Sequence, residues 1–235
     1  MSLPSIQRVF LESVAAEDKD GRFVVVKDIQ MYYKVAIPKQ HQIFQNQSPL
    51  PNEPHKPVIL CLHHMLGNQY TWKYLAQPLA DITGCHVISY DRPAFGFTER
   101  PTQWEENNNP YTQEASVEHV TQLVERLGYG DRKIIFVGTS SGAAISCAFA
   151  IKYPHKVHSL ILMGASIRPE DQVGSDDRYL NIDKHIEVFE YIKLNAPENA
   201  MIELVTIEKC GHLPQEEKPQ EVLNALVNFV QRVGV

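Results

Sequence analysis

Gly138-Thr139-Ser140-Ser141-Gly142 follows four bulky apolar residues, Ile134 to Val137, and leads into an alanine-rich run. A G-x-S-x-G pattern between a buried strand and a helix sets its central serine on a sharp turn, where small neighbours let strand and helix approach and the hydroxyl projects as a nucleophile. Ser140 holds that central place. Ser141 would instead lend its backbone N–H to an oxyanion, beside a helix N-terminus whose dipole favours negative charge. The alternative is a glycine-flanked turn whose serines cap the helix. A serine hydroxyl is a weak nucleophile until a base activates it. The candidate base is His212, in Cys210-Gly211-His212-Leu213-Pro214 on a loop between a last strand and a last helix. Its imidazole, with an ordinary pKa of about 6.5, suits that task. Other histidines are placed less well: His55 in a proline-rich loop, His119, His155 and His158 on helix or strand-entry positions, and His185 at a helix start. His63 and His64 end a strand, but no acidic or histidine partner stands at ligand spacing. No metal is expected there, and a structural or oxyanion-loop role fits them better.

The elements that must position these residues follow from apolar patterning. RVFLESVA and RFVVVKDIQMYYKVAIP, with partial alternation, predict two or three paired antiparallel strands at a sheet edge. The polar, proline-bearing stretch that follows, KQHQIFQNQSPLPNEPHKP, reads as a surface loop. PVILCLHH, CHVISYD, IIFVG and VHSLILMGAS are short apolar runs of buried-strand type. Between them, TWKYLAQPLAD, YTQEASVEHVTQLVERLG and AAISCAFAIKYP read as helices, the second with Val117, Val120, Leu123, Val124 and Leu127 on one face. A helix HIEVFEYIKLN, a strand AMIELVTI and an amphipathic helix EVLNALVNFVQRV complete the chain. Strands alternating with helices predict an α/β fold, a mostly parallel central sheet flanked by helices. Chemistry in such folds gathers at the carboxyl ends of the strands, so HHMLGN, YDRPAFGF and GTSSG should lie side by side.

The 235 residues fit a single domain, 1–235, and 43% hydrophobic with 21% charged residues is ordinary globular composition. An excess of 28 acidic over 22 basic residues offers no basic face, which argues against nucleic acid as a partner. Cys61, Cys85, Cys147 and Cys210 lie in or beside apolar runs without paired short spacing, so they read as buried thiols of a reducing compartment. The N-terminus lacks a basic region followed by an apolar stretch, and no segment approaches the roughly 18 apolar residues of a membrane span. A cytoplasmic location without a transmembrane segment is therefore expected.

From PVILCLHHMLGNQYTW through ISYDRPAFGFTERP and FVGTSSG to CGHLPQEEKP, the chain resembles the α/β-hydrolase superfamily, in the branch with HG-x-x-G loops and G-x-S-x-G elbows. The motifs stand in the family's order over most of the chain. The resemblance implies Ser140 as nucleophile, His212 as base, and the N–H groups of Met65 and Ser141 as the oxyanion hole, without metal or other cofactor. It also implies a structural role for Asp91, which would fix the turn toward the oxyanion loop. Two departures stand out: His64 replaces the glycine of His-Gly, and Thr139 replaces a common histidine. The first puts a side chain where the family leaves space for backbone approach.

The family's order places the acid between Ser140 and His212. Gly174-Ser175-Asp176-Asp177 resembles the family's acid loop, which makes Asp177 the expected acid, Asp176 and Asp171 the alternatives and Asp183 a weaker candidate. After VHSLILMGAS neither a cap-sized helical segment nor the usual further apolar run is visible. The fold is thus expected to be shortened after the sixth strand and to lack a cap domain. Phe95, Phe97, Trp72 and Trp104 would either line an apolar pocket or pack in the core. The resemblance implies a serine hydrolase that cleaves carboxylic esters or related acyl substrates through a Ser-His-Asp triad and an acyl-enzyme. Dehalogenase and epoxide hydrolase chemistry would need an aspartate where Ser140 stands. The rival expectation is a catalytically impaired, truncated scaffold that binds a ligand or partner and pairs with a second copy to cover apolar surface left bare.

Overall fold

The computed structural model describes residues 6–16, 18–39, 56–164 and 207–235, together with residues 190, 194, 201, 203 and 205. Six strands form one sheet: β1 (Arg22–Val26), β2 (Ile29–Ala36), β3 (Val58–Leu62), β4 (Val87–Tyr90), β5 (Ile134–Thr139) and β6 (Val157–Met163). Their order is β1-β2-β4-β3-β5-β6. β3 pairs in parallel with β4 and β5, and β5 with β6, whereas β2 runs antiparallel to both β1 and β4. The sheet is mostly parallel, as the apolar runs predicted, and among the described residues it ends at the sixth strand. Lys27 and Asp28, both at positive φ, join β1 to β2 in a two-residue turn whose twist suits a hairpin.

The N-terminal expectation is corrected at one element. Residues read as a strand, RVFLESVA, belong to helix α1 (Ile6–Ala15). Phe10, Leu11, Val14 and Ala15 recur at helical spacing, and the two of them whose burial is described, Leu11 and Ala15, face the core. The stretch around TWKYLAQPLAD is likewise divided. A 3-10 turn (Gln69–Trp72), opened by the Asn68 side chain accepting the Tyr70 N–H, precedes helix α2 (Ala76–Thr83).

Helices α3 (Gln113–Arg126) and α4 (Ser141–Lys152) flank the sheet, and α5 (Pro214–Glu217) leads into α6 (Pro219–Arg232). Thr112 caps α3 by accepting the Ala115 N–H, and α6 opens on Pro219, where a missing N–H costs nothing. Successive strand residues face opposite sides. Thus Val58, Leu60, Leu62, Ile134 and Phe136 pack with Val117, Val120 and Leu123 of α3 and Phe149 of α4. Ile59, Cys61, Ile135 and Val137 pack instead with Leu79 of α2 and Val222, Leu226 and Val230 of α6. The sheet therefore carries a core on each face. The segments HIEVFEYIKLN and most of AMIELVTI lie outside the described residues.

Candidate active site

β3 lies between β4 and β5, so successive crossovers leave it in opposite directions and a crevice opens at the carboxyl ends of β3 and β5. His63 follows β3 there and Ser140 follows β5. Ser140 has φ 51° and ψ −119°, a backbone state normal for glycine at the first central position of a type II′ turn and strained for serine. Its N–H donates to the Met163 carbonyl at 2.9 Å and its carbonyl accepts the Ala143 N–H at 2.9 Å. Its hydroxyl makes no capping bond to α4, so helix capping does not account for that residue.

The flanking glycines are dictated by contact. A Cβ on Gly142 would fall 2.2 Å from the Leu62 carbonyl oxygen, and one on Gly138 would fall 2.7 Å from both the Ala143 nitrogen and the Gly142 oxygen. Strand β3, strand β5 and helix α4 can approach this closely only without those side chains.

Behind the crevice, His63 is fully buried between the loops after β3 and β4. Its Nε2 accepts the Arg92 main-chain N–H at 3.1 Å, which leaves the proton on Nδ1 to donate to the His64 carbonyl at 2.7 Å. Burial, aided by the nearby Arg92 charge, pulls its pKa down to about 3, so the ring is neutral. That same His64 carbonyl also accepts from Arg92 Nη2 at 3.0 Å and from the Gly67 N–H at 3.1 Å. Arg92 Nη2 reaches the Ser141 hydroxyl at 3.0 Å as well. The His64 ring lies over Gly67, where a Cβ would meet its Cε1 at 2.7 Å. Burial lowers the His64 pKa, while the Glu216 charge opposes that shift and the His212 charge adds to it, so the three side chains share one neighbourhood. Met65 and Leu66 at the tip of the loop are exposed.

Asp91 plays the bracing part expected of it. One carboxylate oxygen accepts the Gln69 N–H at 2.6 Å and the other the Phe97 N–H at 2.8 Å. A Cβ on Gly96 would strike that carboxylate at 1.9 Å. Burial raises the Asp91 pKa to about 6 against these two bonds, which favour the charged form. With both oxygens engaged by backbone, Asp91 joins the loop after β3 to the loop after β4. Of the four aromatics, Trp72 is buried in the core, Phe97 packs edge-on against Tyr32, and Trp104 is exposed beside Tyr111. Only Phe95 borders this region, edge-on to His63 and under the Arg92 guanidinium.

His212 reaches the same crevice from the far end of the chain. Gly164, which directly follows β6 with φ 53°, leaves room for it: a Cβ there would fall 3.2 Å from His212 Cε1. Ser140 is bonded to Met163, the residue before that glycine, so adjoining strand ends bring Ser140 and His212 into one neighbourhood. Two backbone N–H groups flanking the histidine, those of Gly211 and Leu213, donate to the Glu217 carboxylate at 2.8 and 3.3 Å. Asp177, Asp176, Asp171 and Asp183 lie outside the described residues. Arg92 and Glu217 escaped the sequence reading. Glu217 reaches back to backbone from the fourth residue of α5, whose N-cap is Leu213, so it falls outside the capping-box spacing that would have marked it. Nothing in local spacing marks Arg92. Among the described residues no cluster of three or more His, Cys, Asp or Glu side chains is suited to a metal ion, and no helix is long and apolar enough to cross a membrane.

A family model described as alpha/beta hydrolase fold matches residues 57–185, more than half of the chain. A 79-residue stretch is 40% identical to 2-hydroxy-6-oxo-2,4-heptadienoate hydrolase of Pseudomonas putida, covering 34% of this chain and 26% of that protein. Monoacylglycerol lipase ABHD6 of Homo sapiens is 26% identical over 181 residues, 74% of this chain and 49% of the lipase. The chain thus spans about a quarter to a half of the length of these curated relatives. A crystal structure of a predicted CIB-like hydrolase from Thermoplasma acidophilum superposes with a TM-score of 0.65 at 17% identity, over 90% of this chain and 97% of that one, a likeness of fold.

Proposed function

Because the chain belongs to the alpha/beta hydrolase fold family, and the two curated relatives described above are a hydrolase and a lipase, we propose that it is a serine hydrolase of carboxylic esters or related acyl substrates, working as one domain over residues 1–235. Ser140 is the nucleophile and His212 the general base. The amides of Met65 and Ser141 form the oxyanion hole, and Asp177, with Asp176 and Asp171 as alternatives, orients the imidazole. The observation that carries this reading is the strained turn at Ser140, held between β5 and α4 by glycines that admit no side chain, with a hydroxyl that caps nothing. A structure keeps such strain where function requires it.

His212 takes the Ser140 proton as the oxygen attacks the acyl carbon, and the resulting tetrahedral oxyanion is held by the two amides. Proton return from His212 to the leaving alcohol gives the acyl-enzyme. Water activated by the same imidazole then releases the acid and frees Ser140. The elbow serine is incompatible with the alkyl-enzyme route of an aspartate nucleophile, which supports acyl chemistry over epoxide opening.

A fluorophosphonate probe tests the assignment. The parent protein should be labelled at Ser140, Ser140→Ala should not be labelled at all, and His212→Ala should be labelled at least 100-fold more slowly. Asp177→Asn should also slow labelling, and undiminished labelling would remove that residue as the acid. An unlabelled parent would instead support the impaired-scaffold alternative.

A further inference from the structure

Arg92 is buried at the end of β4 with a relative exposure of 8%. Among the described residues no carboxylate stands within ion-pair distance of it, and its Nε has no partner. A buried cation without a counter-charge is costly, and such arrangements call for an explanation. All of its directed bonds lead to one place. Nη2 donates at 3.0 Å to the His64 carbonyl and at 3.0 Å to the Ser141 hydroxyl, and the main-chain N–H donates at 3.1 Å to His63 Nε2.

The His64 carbonyl and the Met65 N–H are opposite ends of one planar, trans peptide unit. Fixing the oxygen therefore fixes the direction of the N–H. That oxygen is held by three donors: His63 Nδ1, Arg92 Nη2 and the Gly67 N–H. Ser141, on the other side of the crevice, is tied to the same guanidinium nitrogen through its hydroxyl. One side chain thus joins the loop after β3 to the first residue of α4, the two segments to which the proposed function assigns the oxyanion-hole amides. Donors aimed before reaction need no reorganisation during it, and a positive charge behind them in a poorly solvated site favours the anionic state.

We propose that Arg92 is the positioning residue of the oxyanion hole, aligning the Met65 and Ser141 amides through the His64 carbonyl and the Ser141 hydroxyl. This assignment rests on the serine hydrolase reading above. In this role Arg92 acts through those two groups and not on the substrate. Its contribution belongs to the transition state, so its loss lowers turnover and leaves ground-state binding intact.

Steady-state hydrolysis of p-nitrophenyl acetate by the parent, Arg92→Met and Arg92→Lys, together with the rate of fluorophosphonate labelling and the thermal midpoint of each, tests the assignment. Arg92→Met should lower kcat by about 10- to 100-fold with KM within about twofold, and labelling should slow by a similar factor. Arg92→Lys keeps the charge but has a shorter, single-headed donor, and should fall between the two. If Arg92→Met does not fold, Arg92→Lys carries the test through the same split of kcat from KM. An active parent whose folded variants keep kcat, or change KM alone, would overturn the role of Arg92 and leave the hydrolase reading standing. A parent that is neither labelled nor active would overturn both.

Discussion

One pair of backbone torsions separates Ser140 from an ordinary helix-entry residue. Its φ of 51° and ψ of −119° suit glycine, and holding any other residue there costs on the order of 1–3 kcal/mol. Ser140→Gly should therefore raise stability by about 1 kcal/mol, after allowance for the greater freedom of glycine in the unfolded chain, while abolishing probe labelling. Ser140→Ala keeps the strain and should denature near the parent's midpoint. Urea denaturation of the three proteins checks this, and equal midpoints for Ser140→Gly and Ser140→Ala would refute the strain. The serine's position was legible because small residues at fixed spacing, after an apolar run, leave few other conformations. Arg92 was not legible, since its bonds go to residues 64 and 141, far off in sequence and joined only by the folded sheet.

Strand β5, the turn and helix α4 act as one unit, and what holds them together is proximity to β3. Gly142→Ala would drive a methyl group to 2.2 Å from the Leu62 carbonyl. Backbone cannot yield there as the tip of a side chain would, so a destabilisation of about 1–3 kcal/mol is expected, with loss of probe labelling. A chemical denaturation curve paired with the labelling rate measures both effects. Gly128→Ala makes a useful contrast, because a Cβ at Gly128 meets nothing within 4 Å and only its φ of 83° opposes the change. Most elements could be read from the chain, because continuous apolar runs and a clear helical period on α3 each favour one structure. The N-terminal RVFLESVA was misread because, over so short a span, its apolar residues satisfy a loose alternation as well as the helical spacing of α1. The 3-10 turn at Gln69–Trp72 was hidden for a different reason. Beside the local Asn68 cap, it is held by the Asp91 carboxylate gripping the Gln69 N–H, a contact that no local pattern encodes.

Across the whole molecule, buried titrating groups set how stability responds to acid. Burial lowers the pKa of His63 from 6.5 to about 3 and that of His119 from 6.5 to about 4. Between pH 6.5 and about 4 the unfolded chain binds these two protons and the native chain does not, so stability falls as pH falls. Asp91 acts in the opposite sense. Its pKa is raised from 3.8 to about 6, so between those values the native state holds the extra proton and gains as pH falls. The two histidines outweigh the one carboxyl, and unfolding free energy should drop by roughly 2 kcal/mol from pH 7 to pH 5. Urea titrations at the two pH values measure this, and His119→Gln should remove most of the drop, because the His63 and Asp91 contributions that remain nearly offset each other, while leaving labelling at pH 7 near the parent rate. The two-faced core offers one more handle. All four cysteines are free thiols, with Cys61 and Cys85 buried among the residues between the sheet and helices α2 and α6. Burial pushes the Cys61 thiol well above its ordinary range and that of Cys147 to about 11, so these thiols are protonated and slow to react while the fold is closed. The chain thereby carries built-in reporters of its own opening: the rate at which a small alkylating reagent reaches Cys61 measures how often that face of the sheet parts from its helices.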